Sequence, residues 1–258
     1  MNLGRLVAIC GISFGLWSVA GLAQQMAPAA APDVAKPAVA PAVPDSPQAV
    51  WANLKKYHDE DVALGLPVAG EKRVVFMGDS ITEGWAHFGV PPQPPVAEKD
   101  YVNRGISGQT TPQMVVRFQQ DVIDLKPAAV VILAGINDIA GNTGDMTPEQ
   151  TEGNLAAMAE QAQAHGIKVV MCSILPAFDF PWRPGREPAP KVVAINTWMK
   201  AYAAEHGHVY VDYYTPMADE RGGLPKTLSS DGVHPTPAGY AVMQPLVDAG
   251  VAKALGGS

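Results

Sequence analysis

The sequence predicts an α/β fold built from βαβ units. Three observations carry this. Short apolar runs alternate with helical segments through the chain from residue 73 on. Two of those runs, "AVVILA" (129–134) and "KVVMCSI" (168–174), are apolar without alternation, as strands covered on both faces of a parallel sheet are. Small and polar residues such as Gly, Asp, Ser and Asn follow several of the runs, where a parallel sheet presents its C-terminal edge.

The elements follow in order. Residues 48–65, "QAVWANLKKYHDEDVALG", carry apolar residues at helical spacing and end at Gly65, a C-cap signal. Strands are expected at 73–77, 101–104, 129–134, 168–174 and 208–212. Helices are expected from Thr111-Pro112 to about Leu125, from Thr147-Pro148 to His165-Gly166, from about Pro190 to His206, and from Thr236-Pro237 to Leu255. Threonine followed by proline is an N-cap with a preset first helical residue. Strand–helix alternation with right-handed crossovers gives a layered α/β domain.

Composition bounds the remainder. The 258 residues are 47% apolar and 17% charged, enough for one domain with a sizeable core. Residues 1–23 have Arg5 ahead of an apolar stretch from Leu6 to Leu22, and end Gly21-Leu22-Ala23, the pattern of a secretory signal peptide cut before Gln24. A retained anchor is the alternative, although the stretch is only 17 residues long, marginal for a bilayer. Cys10 lies too early in it for lipid attachment. Residues 24–47 are Ala/Pro-rich and expected to be a disordered linker, leaving 48–258 as the folded domain. Export to the periplasm or the medium is therefore expected, with no stable membrane insertion after cleavage. Loss of Arg5 takes the net charge from −7 to −8, which argues against nucleic acid and anionic lipid as partners. Beyond the leader only Cys172 remains, inside an apolar run, so it is expected to be buried and unpaired.

The rim loops carry the chemistry. "VVFMGDSITEGW" (74–85) ends a strand on Gly78-Asp79-Ser80. A serine hydroxyl needs a base before it becomes a nucleophile, and usually an acid that orients the base. "SSDGVHP" offers Asp231 and His234 on one loop, although Asp-Gly and His-Pro are also ordinary turn material. An oxyanion needs donors. The candidates are the Ser80 backbone N–H, the Gly108 N–H in "GISGQTT", and the Asn137 side chain in "GINDIAGN". The other histidines (His58, His87, His165, His206, His208) lack an acid at useful spacing and form no metal-binding pattern. No metal or cofactor is expected.

"GDSI", "GISG", "GIND" and "DGVH", in that order, together resemble the four blocks of the SGNH, or GDSL-type, serine hydrolases. The strings "NRGISGQTT" and "LAGINDI" are similar to bacterial relatives of the platelet-activating-factor acetylhydrolase catalytic subunits. Gln109 departs from them, since many carry aspartate there. The resemblance covers about residues 70–255. It implies a flavodoxin-like three-layer α/β/α sandwich with a central five-stranded parallel sheet. It also implies Ser80 as nucleophile, His234 as base, Asp231 as orienting acid, and Ser80, Gly108 and Asn137 as the oxyanion hole. Residues 78–82, G-D-S-I-T, are not the G-x-S-x-G elbow of α/β-hydrolases.

The expected function is a metal-free serine esterase acting on short acyl groups, mainly acetyl, of a small-molecule or glycan ester. A lysophospholipase or thioesterase of the same family is the nearest alternative. A non-catalytic envelope glycan-binding protein on the same fold is another. Asp79 and Asp138 are expected to steady their loops. Trp85, Phe88, Phe178, Phe180 and Trp182 are expected either to wall a substrate pocket or to pack their segments onto the body.

Overall fold

The computed structural model describes residues 45–87 and 101–257, without the side chains of residues 86 and 87. The expected leader and Cys10, most of the linker, and Phe88 lie outside them.

Five strands form the sheet: β1 (Val74–Gly78), β2 (Tyr101–Gly105), β3 (Ala129–Leu133), β4 (Lys168–Cys172) and β5 (Val209–Val211). Every pairing is parallel and the order is β2-β1-β3-β4-β5. Chain direction along the sheet reverses at β1, so the β1/β3 crevice is the switch point where the C-terminal strand edge opens to ligands. β1 and β3 are buried at all five positions, which is why they lack polar/apolar alternation.

The helices among the described residues are α1 (Pro47–Trp51), α2 (Lys55–Leu64), α3 (Ser80–His87), α4 (Thr111–Asp121), α5 (Ile136–Ala140), α6 (Pro148–Ala164), α7 (Pro188–Glu205), α8 (Tyr214–Met217) and α9 (Pro237–Ala254). On one face α4 packs on α6 and α6 on α7; α3 and α9 cover the other. The α3–α9 seam is aromatic. Trp85 meets Phe76 edge-on at 5.8 Å and Tyr240 at 5.4 Å, and the Tyr240 hydroxyl donates to Ile81 O at 2.8 Å. The flavodoxin-like three-layer arrangement is thus present.

Strand ends differ from expectation by one or two residues, and the N-terminal segment differs more. It was expected to be one helix over 48–65 but breaks at Asn53, whose φ is 55°. Asparagine tolerates this left-handed conformation. The break frees backbone carbonyls that long-range partners then satisfy. Gln113, Gln109 and Gln120 donate their side-chain amides to Trp51 O, Ala52 O and Leu54 O. The helix expected to reach Leu125 ends at Asp121 and gives way to a 3-10 turn over Ile123–Leu125.

Candidate active site

β1 delivers Asp79 and Ser80 to the rim, with Ser80 opening α3. The strand end is crowded: a Cβ on Gly78 would lie 2.7 Å from Leu133 O. Only glycine lets β1 pass its neighbour there. Behind it, Arg117 is fully buried on α4. It donates to Gly78 O (2.9 Å), Arg104 O (2.8 Å), Gln109 Oε1 (2.6 Å) and Asp121 Oδ2 (2.9 Å). One guanidinium therefore joins the ends of β1 and β2 to the "GISGQTT" loop. Gln109 is a member of this network, acting as a neutral acceptor for Arg117.

The loop before α9 brings His234 to Ser80. His234 Nε2 lies 2.9 Å from Ser80 Oγ, and His234 Nδ1 lies 2.7 Å from Asp231 Oδ2. With the ring proton on Nδ1, donated to Asp231, Nε2 accepts from the serine. Asp231 is itself fixed: its Oδ1 accepts from Val233 N (2.9 Å), His234 N (2.8 Å) and Ser229 Oγ (3.1 Å). Partial burial pushes the Asp231 carboxyl up. Hydrogen bonds from the His234 ring and from the His234 and Val233 amides outweigh that and hold it down to about 2. The group is thus an anion throughout the neutral range.

The Ser80 and Gly108 amides have no acceptor among the described residues. Gly108 reaches its position with φ of +77°, a conformation glycine adopts without strain. Asn137 is buried on α5. Its Nδ2 donates to Gln109 O at 3.0 Å and, more loosely, to Asp79 Oδ2 at 3.3 Å. Asp79 is fully buried, and its Oδ1 accepts from Ile81 N at 2.9 Å. Burial pushes the Asp79 carboxyl up to about 7, against the pull of the Ile81 amide and His234. Asp138 instead braces the α4 N-terminus: it accepts from the Thr111 hydroxyl and from Thr111 N at 3.0 Å.

All five sequence-derived site residues meet at this edge, and two further residues join them. Asn142 donates to Asn137 Oδ1 (2.9 Å) and Gly108 O (3.1 Å), bridging two loops. Glu83 accepts from Ser107 N (2.8 Å) and Ser107 Oγ (2.5 Å), and from Lys56 Nζ (2.8 Å). Glu83 stands one turn after Ser80 and looks like ordinary first-turn acid in the sequence. The only signal for Asn142 is its place after Gly141, at the end of "GINDIAGN".

The aromatic residues divide. Trp85 and Phe180 are core side chains, 1% and 0% exposed, so neither walls a pocket. Phe178 and Trp182 are 50% and 45% exposed. Cys172 is buried 3.6 Å from the Tyr213 hydroxyl, and burial pushes its thiol up to about 12, so it is not a nucleophile at neutral pH.

Residues 76–242 match the GDSL-like lipase/acylhydrolase family. A crystal structure of a GDSL-like lipase from Bacteroides thetaiotaomicron is 47% identical with a TM-score of 0.76, over 80% of this chain and all of that one. Esterase TesA of Pseudomonas aeruginosa is 32% identical over 178 residues, 67% of this chain and 80% of its own length. An acetylxylan esterase of Geobacillus stearothermophilus is 29% identical over 203 residues, 68% of this chain and 91% of its own. The uncharacterized lipoprotein YqeF of Bacillus subtilis is 33% identical over 132 residues; this covers 46% of the present chain and about half, 54%, of the lipoprotein. The chain belongs to the GDSL-like lipase/acylhydrolase family and is a carboxylic ester hydrolase of that family.

Proposed function

We propose that Ser80, His234 and Asp231 form the catalytic triad of a serine esterase that prefers acetyl esters of carbohydrates. The observation that carries this is the continuous line from Ser80 Oγ to His234 Nε2 (2.9 Å) and from His234 Nδ1 to Asp231 Oδ2 (2.7 Å). Ser80 Oγ bonds to the ester carbonyl carbon as His234 Nε2 takes its proton. Asp231 holds the resulting imidazolium. The carbonyl oxygen, now an anion, is received by the Ser80 N–H, the Gly108 N–H and Asn137 Nδ2. Asn137 exchanges its looser contact to Asp79 for the oxyanion, so the donor is positioned before substrate arrives. Collapse breaks the ester C–O bond, and His234 protonates the departing alkoxide. Water then loses a proton to His234 and attacks the acyl-enzyme, releasing the carboxylic acid and restoring Ser80.

The acetyl preference is supported by the similarity to the acetylxylan esterase of Geobacillus stearothermophilus. Residues 48–258 constitute the hydrolase domain, carried behind an export leader (1–23) and an Ala/Pro tether (24–47). The similar lipoprotein is compatible with export to the periplasm or medium. Ser80→Ala is expected to keep the wild-type melting curve and to lose hydrolysis of p-nitrophenyl acetate. Retention of most activity would overturn the nucleophile. Across p-nitrophenyl esters from acetate to dodecanoate, kcat/KM is expected to fall with length. A maximum at octanoate or longer would overturn the acetyl preference.

A further inference from the structure

We propose that Trp182, Phe178 and Arg221 form a sugar subsite that binds the alcohol side of the ester, beside the catalytic histidine. The inference rests on the Ser80–His234 reading above and names residues that the reaction itself does not use. Trp182 lies on the segment between β4 and α7, with its ring centroid 6.1 Å from that of His234. Its other neighbour is Phe180, 5.4 Å away and fully buried, which backs the indole like a plinth. Trp182 is nevertheless 45% exposed. A large aromatic so placed offers uncovered apolar surface beside His234, where the leaving group would depart.

Next to it is a cleft of about 240 Å³ lined by Phe178, Pro181, Asp179, Arg221, Leu224 and Asp231. Phe178 is half exposed, and the Arg221 guanidinium lies over its ring at 4.7 Å. Arg221 in turn is held by Asp219 at 3.3 Å. The cleft thus combines apolar faces with two carboxylates and a guanidinium. An alkyl chain lying there would strip water from those charges without replacing its hydrogen bonds. A pyranose does not incur that cost: its C–H face covers an aromatic ring while its hydroxyls meet the charged edges. That chemistry selects a neutral sugar and places it on the alcohol side.

The segment is braced by the protein's own hydrogen bonds. Asp179 Oδ1 accepts from Phe180 N (2.9 Å) and Gly185 N (3.1 Å). Arg183 donates to Ala140 O (3.1 Å) and Gly141 O (2.5 Å), and Arg186 pairs with Asp145 (2.6 Å). Arg183 thus fastens the aromatic segment to the end of α5, the helix that carries Asn137, and Arg186 fastens it to the loop that follows. A pre-ordered platform loses little entropy on binding.

The test separates binding from turnover. Ser80→Ala protein, full length, is titrated calorimetrically with xylohexaose, cellohexaose and chitohexaose, alone and with Trp182→Ala added. At least one sugar is expected to bind, and Trp182→Ala is expected to weaken it by about tenfold or more. In otherwise wild-type protein, kcat/KM of Trp182→Ala and of Arg221→Ala is measured on acetylated xylooligosaccharide and on p-nitrophenyl octanoate. The loss is expected to be larger on the sugar ester, and to lie mainly in KM. No binding by any of the three sugars, or an equal or larger loss on octanoate, would overturn the subsite. Activity persisting in Ser80→Ala would overturn the triad instead, and leaves the sugar titration readable.

Discussion

Gly105→Ala places one methyl group where the nucleophile helix meets the sheet. Gly105 ends β2 opposite Gly78 of β1. A Cβ there would lie 2.8 Å from Asp79 O and 2.8 Å from Glu83 Cα, and nearer still to Glu83 N. These are backbone atoms on either side of Ser80, so no rotamer change relieves the clash. Carbon contacts normally settle at about 3.5–4.0 Å, so the first turn of α3 must move by roughly 1 Å. Overpacking of this kind costs typically about 1–3 kcal/mol, and the absence of a flexible neighbour puts Gly105→Ala at the upper end. At about 2–4 °C per kcal/mol for a domain of this size, Tm falls by roughly 6–12 °C. A shift of that length also stretches the 2.9 Å Ser80–His234 hydrogen bond, and misplacement by about 1 Å can reduce turnover on the order of 10²-fold. The control is Gly153→Ala. Gly153 is exposed inside α6 with nothing near a new Cβ, and alanine there should stabilise by about 0.5–1 kcal/mol. Thermal melts and p-nitrophenyl acetate turnover of both variants provide the comparison. Gly105→Ala melting within about 2 °C of wild type with full turnover would refute the packing argument.

Three other outcomes are expected. Burial raises the Asp79 carboxyl to about 7, well above the ordinary carboxylate range, so its protonated form favours the fold. That stability is fully present below about pH 4 and is lost as pH rises through about 7, to the extent of about 4 kcal/mol at most. The difference in unfolding free energy between wild type and Asp79→Asn should therefore change across pH 4–8 in denaturant titrations; parallel curves would contradict it. Glu83→Ala releases Ser107 and with it the Gly108 amide, so kcat on p-nitrophenyl acetate should fall about tenfold with KM little changed. A change confined to KM would contradict a positioning role. Arg117→Leu leaves Asp121, 1% exposed, as a buried charge without its partner. It should cost about 3–5 kcal/mol in denaturant unfolding; a loss below about 1 kcal/mol would show the network to be dispensable.

The parts of this protein legible in its sequence are those governed by local chemistry. β3 and β4 could be read because burial on both faces leaves a continuous apolar run. The strings that bring Ser80, Gly108, Asn137, Asp231 and His234 to one edge could be picked out because the residue types in each suit the one reaction proposed for them. What escaped is set by partners far away in the chain. The break at Asn53 persists because three glutamines, at 109, 113 and 120, satisfy the carbonyls it exposes. Arg117 and Gln109 look like surface residues until β1 and β2 converge on them. Trp85 could belong to a pocket or the core by position alone, and the packing of α9 through Tyr240 decides for the core.

Reaction with a fluorophosphonate tests the central claim most directly, because it reports nucleophilicity without a choice of substrate. Full-length protein is treated with the reagent and the adduct is located by peptide mass mapping. A single adduct on Ser80, formed at least about 10²-fold more slowly in His234→Ala, is the predicted result. Modification at another residue, or an unchanged rate in His234→Ala, would contradict the account.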